Sequence, residues 1–143
     1  MLNQKWYQII AAAILVLGLQ GAHSKAFADE NAARAIISQQ LESFLSGDFE
    51  TAYSYASPNI KRLFPTLDRF MSMVRSGYLP VLRPGNYAFG RVETAPDGRV
   101  LQEVTIRAPD GSDWTALYYM EQQSDGSWKV DGVNLRKGAA GLT

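Results

Sequence analysis

The side chains able to do chemistry in this chain are few in kind. Its 143 residues include no cysteine and a single histidine, His23. His23 falls in a stretch that reads as an export leader. A mature chain without His or Cys cannot build Ser-His or Cys-His nucleophile pairs, or the usual zinc sites. What remains for catalysis is carboxylates, Tyr, Lys, Arg and hydroxyls. Most of the acids under scrutiny have a local explanation. Asp97, Asp110 and Asp125 each precede a glycine in a turn signal, and Asp48 is placed to cap a helix. Asp68 stands in the first turn of another helix, where the macrodipole favours it. Asp131 and Glu121 remain, and no catalytic residue is assigned.

Tyr53, Tyr55, Tyr78, Tyr118 and Tyr119 form the most suggestive polar-aromatic set. They read either as hydroxyl donors around a ligand pocket or as amphipathic packing, with rings buried and hydroxyls at the rim. Arg91 and Gln102 read either as contacts for an anion or carbonyl, or as sheet-end residues whose stems reach water. The candidate ligand-binding residues are Tyr53, Phe70, Tyr78, Arg91 and Tyr119. No metal or cofactor is expected.

The leader argument rests on Lys5, the apolar run over 9–19 and the Ala26-Phe27-Ala28 cleavage signal, which would leave Asp29 as the new N-terminus. The rival is an uncleaved anchor, but the run is short of the ~20 residues a spanning helix needs. We therefore expect a leader over 1–28, a domain over 29–137 and a small-residue tail over 138–143, with a periplasmic or secreted product. No stable membrane insertion is expected after cleavage. Removing Lys5 and Lys25 leaves 12 basic residues against 14 acidic ones. That balance, with no long basic run, gives nucleic-acid binding no support.

The elements that must position these residues follow from pattern. Apolar residues at three- and four-residue spacing predict a helix over 31–46, with Gly47 after its end. Asp48, Ser57-Pro58 and Thr66 mark further helix starts, predicting helices over 49–56 and 67–76 with a short turn between. Pro80 and Pro84 predict an extended connection over 78–85. Then come Asp97-Gly98, Asp110-Gly111 and Asp125-Gly126, each between strand-like runs. Two-residue type I′ turns at these pairs predict a four-stranded antiparallel meander.

In that register Phe89 faces Ile106 and Arg91 faces Val104, while Val104 faces Leu117 and Ile106 faces Thr115. One sheet face then carries Phe89, Val104, Ile106, Leu117 and Tyr119. The other carries Val92, Leu101, Trp114, Ala116, Tyr118 and Met120. Helices can cover only one face, so Leu101, Trp114, Tyr118 and Met120 are the candidate surface of a sheet-to-sheet homodimer. A one-residue slip would exchange the faces, and the last hairpin leaves Trp128 and Val130 exchangeable with Val133 and Leu135.

Two words of the sequence resemble the nuclear transport factor 2-like (cystatin-like cone) superfamily. They are Ser46-Gly47-Asp48-Phe49-Glu50-Thr51-Ala52-Tyr53 and Asp125-Gly126-Ser127-Trp128-Lys129-Val130-Asp131-Gly132. Through Tyr53, Ser57-Pro58, Phe70 and Tyr78-Leu79-Pro80 the chain more closely resembles the small exported bacterial proteins grouped as domain of unknown function 4864. The resemblance implies an α+β fold, N-terminal helices packed on a curved four-stranded meander. It also implies that any site lies between helices and sheet, and it leaves activity open. Enzymes of the superfamily use a His-Asp pair, which a mature chain without His cannot form, or a carboxylate base with a Tyr or acid donor. Our leading expectation is a non-enzymatic module that binds a small apolar ligand or a protein. The alternatives are a carboxylate-base isomerase or lyase acting on a small apolar substrate, and a structural homodimer.

Overall fold

All three Asp-Gly pairs stand at hairpin corners, but the corner is a three-residue loop. At the first, the Gly98 N–H donates to the Ala95 carbonyl at 2.9 Å and the Ala95 N–H to the Arg99 carbonyl at 2.8 Å. Gly98 has φ +89°, and no non-glycine residue described has positive φ. This is the pattern of a type I turn closed by a left-handed glycine, with the Asp97 carboxylate accepting the Arg99 N–H at 3.1 Å. The corners at Gly111 and Gly126 repeat it.

The computed structural model describes residues 4–139, with side chains from residue 21 onward. In chain order the elements are α1 (Gln4–Leu45), α2 (Phe49–Ser54), α3 (Pro58–Leu63), α4 (Leu67–Gly77), α5 (Leu79–Leu82), β1 (Asn86–Thr94), β2 (Val100–Arg107), β3 (Asp113–Gln122) and β4 (Trp128–Lys137). The strands form one antiparallel sheet in the order β1-β2-β3-β4, with the helices packed on one face. The fold is α+β, as expected.

The extra loop residue moves the register by one and reverses two expected faces. Val104 pairs with Ala116 and Ile106 with Trp114. Trp114, Tyr118 and Met120 therefore face the helices, and Tyr118 and Met120 are fully buried. Leu101, Leu117 and Tyr119 lie on the opposite face. The outward patch expected from Leu101, Trp114, Tyr118 and Met120 is thus split between the two faces.

Two bulges then restore alternation where the sequence breaks it. Gly90 and Arg91 together oppose Glu103, so Phe89 and Val92 both point inward, opposite Val104 and Gln102. In β4 the register shifts at Asp131, so Val130 opposes Met120 and Val133 opposes Tyr118. Trp128 and Val130 share the inner face with Val133 and Leu135, two pairs of opposite parity.

The helix signals hold with two differences. α1 does not begin near residue 31 but runs continuously from Gln4. Among its residues from 21 onward the first fully buried is Ala33; from there Ala33, Ile37, Gln40, Leu41 and Phe44 follow one stripe into the core. Asp48, Ser57 and Thr66 cap their helices by accepting backbone N–H groups from Thr51, Ile60 and Arg69. The stretch expected to be extended contains the short helix α5, because Pro80 occupies its first turn, where a missing N–H is harmless. Gly85 then passes so close to the β2–β3 corner that a Cβ would meet the Arg107 carbonyl at 2.9 Å. Among the described residues no helix is long and apolar enough to cross a membrane.

Candidate functional site

Between the α2–α3 junction and α4, over the bulged strand β4, the helices do not close completely on the sheet. Backbone hydrogen bonds set the frame. The Ser57 N–H donates to the Val130 carbonyl at 2.9 Å, and the Val130 N–H to the Tyr55 carbonyl at 2.8 Å. Residues 55–57 thus pair with the open edge of β4 and protect it. The Ser57 hydroxyl, besides capping α3, donates to the Asp131 carboxylate at 2.7 Å.

The space left is an apolar cavity of about 210 Å³. Phe44 and Phe70 form one wall, Ile60 of α3 and its C-cap Phe64 another, and Val130, Gly132 and Val133 the floor. Phe70 is wedged between Phe44 and Tyr53, with ring centroids at 6.3 and 4.9 Å. Two polar side chains reach the lining, and both are committed to backbone carbonyls. The Gln40 amide donates to Ala52 at 3.1 Å and the Tyr78 hydroxyl to Val133 at 3.2 Å. No Asp or Glu lines the cavity. The two acids left open by the sequence lie elsewhere: Glu121 opposite Lys129 on the outer face, and Asp131 in the β4 bulge, its carboxylate 3.8 Å from Arg99.

The structure brings together some of the expected ligand-binding residues. Phe70 and Tyr78 line the cavity. Tyr53 stands behind Phe70 with its hydroxyl donated to the Phe64 carbonyl at 2.6 Å. Arg91 is exposed in the β1 bulge, and Tyr119 is on the opposite sheet face against Gly132. Gln102, the other polar candidate, has an internal role. Its buried amide donates to the Gly90, Arg91 and Glu103 carbonyls at 3.2, 3.2 and 2.8 Å. Arg34 Nε completes that arrangement by donating to Gln102 Oε1 at 2.7 Å. Arg34 was not singled out from sequence, though it neighbours the buried stripe of α1. Met73, Val81 and Val133 were also missed as lining residues, since ordinary core positions carry no signal that a void lies beside them.

Among the displaced titrations are those of Tyr118 and Lys61. Burial, and secondarily Tyr87, pushes the Tyr118 phenol up; its hydroxyl has no hydrogen-bond partner among the described residues. Partial burial, and secondarily Lys129, pulls the Lys61 ammonium down.

The class defined by this geometry is an α+β domain with helices on one face of an open four-stranded sheet and an apolar cavity between the layers. The family profile described as domain of unknown function (DUF4864) matches residues 26–141, and the chain belongs to that family. No curated protein matches the chain, and neither does any solved structure.

Proposed function

We propose that this domain is an exported, non-enzymatic module that binds a small apolar ligand in the cavity between α3, α4 and β4. The observation carrying the reading is the lining: aromatic and aliphatic walls, with its two polar side chains already bonded to backbone carbonyls. Such a surface rewards apolar area and offers no free base. A carboxylate-base reaction would call for an acid in that wall, with its pKa raised by burial. At about 30 Å³ for a group the size of a water molecule, the volume suits about seven methylene-sized units. Export is supported by the leader pattern and by the exposed or half-buried state of residues 21–32, which lets cleavage after Ala28 spare the core.

Native mass spectrometry of protein taken from the exported fraction tests the reading. A retained small apolar molecule, released on denaturation, is the expected result. Ligand-free protein whose Phe70 and Met73 side-chain resonances also ignore added 1-octanol would overturn it.

A further inference from the structure

The cavity has a charged neighbour. Ala56 lines both the apolar cavity and a shallow cleft whose other walls are Pro58, Lys61, Arg62, Gln123 and Lys129. Helix α3 is the divider. Ile60 and Phe64, one turn apart, face the cavity, while Lys61 and Arg62 face the cleft. Each of the three cations has a neutral partner. Lys61 lies over the Tyr53 ring at 5.3 Å, Arg62 donates to the Asn59 side chain at 2.6 Å, and Lys129 donates to the Ser54 carbonyl at 2.8 Å. The ion pairs among the described residues involve Arg99 and Arg107, none of these three. Glu121 stands opposite Lys129 without forming an ion pair, and Asp125, held by Ser127, feels the Lys129 charge without pairing with it. Three positive charges therefore share one cleft with none of them in an ion pair among the described residues.

We infer that the ligand is an anionic amphiphile: an aliphatic tail in the cavity and a carboxylate-type head against Lys61, Arg62 and Lys129. This rests on the cavity reading above and adds the head group to it. The charge complementarity follows from the cleft, and the short tail from the cavity volume. The lowered pKa of Lys61, caused first by partial burial and then by Lys129, fits a cation whose charge an arriving anion would compensate.

Calorimetric titration of the full chain with three probes tests the inference. Octanoate carries tail and charge, 1-octanol the tail alone, and acetate the charge alone. Octanoate should bind one per chain and about tenfold more tightly than octanol, the size of one charge-assisted hydrogen bond. Lys61→Gln with Arg62→Gln should bring octanoate to the level of octanol and leave octanol unchanged. Salt at about 0.5 M should erase most of the difference in the wild type. Equal affinity for octanoate and octanol, or an advantage that survives the double variant, would each overturn the head-group site and leave the cavity standing. Acetate binding as tight as octanoate would show that the tail adds nothing, and would overturn the amphiphile. Failure of octanol and octanoate alike would overturn the cavity reading, and this inference with it. Octanol binding also reports the fold of the variant. Should the variant lose it, an octanoate advantage persisting at high salt in the wild type would refute the inference.

Discussion

Replacing Tyr118 by Phe should make this protein more stable. Tyr118 is fully buried on the inner sheet face, and its hydroxyl has no partner among the described residues. A hydroxyl taken from water without compensation costs about 1–3 kcal/mol on protein mutational scales. Phe keeps the ring and its packing. The oxygen-sized void, about 15 Å³, costs only about 0.4 kcal/mol at ~24 cal/mol per Å³. The net expectation is a gain of about 1 kcal/mol or more, which raises Tm by about 3–6 °C in a domain of this size. Urea unfolding followed by tryptophan fluorescence, with calorimetry for Tm, measures it. Because burial keeps the phenol neutral, the gain should be the same at about pH 6 and about pH 9. A loss of about 1 kcal/mol, the value of a hydrogen bond removed, would refute the argument and place a partner at that hydroxyl.

Phe44, buried at 5% exposure and stacked on Phe70, should cost about 3–5 kcal/mol on change to Ala; a loss below about half a kcal/mol in the same urea assay would contradict its place in the core. The carboxyls of Asp110 and Asp125 are held below their ordinary 3.8, chiefly by the side-chain hydrogen bonds of Ser112 and Ser127. A carboxyl whose pKa is lowered by folding stabilises above its unfolded value and loses that contribution as pH falls through the folded one. Tm should therefore fall on acidification below about pH 4, and Asp110→Asn with Asp125→Asn should flatten the fall; an equal fall in the double variant would assign it to other carboxyls. Terminal sequencing of exported protein should begin at Asp29, and a full-length product in the membrane fraction would reject cleavage after Ala28.

What the sequence alone determined is what local chemistry controls. Asp48, Ser57 and Thr66 cap helices because their side-chain oxygens reach an N–H three residues on. The spacing of Ile37, Leu41 and Phe44 identifies the buried stripe, since neighbours on a helix face are set within two turns. The Asp-Gly pairs locate three corners and so the four-strand order. Beyond that, tertiary structure decided. Asp-Gly serves both a two-residue and a three-residue loop, and the difference of one residue turned Trp114, Tyr118 and Met120 from the surface to the core. Strand parity is lost again wherever a bulge intervenes. Val130 and Val133 share a face only because Asp131 is accommodated in a bulge, held by Ser57 from a helix 74 residues earlier. The cavity is a further step removed from sequence. Phe70 and Tyr78 were legible as candidates, but the gap between α3, α4 and β4 is a shortfall in packing among segments far apart in the chain. No residue's type encodes the space its distant neighbours fail to fill.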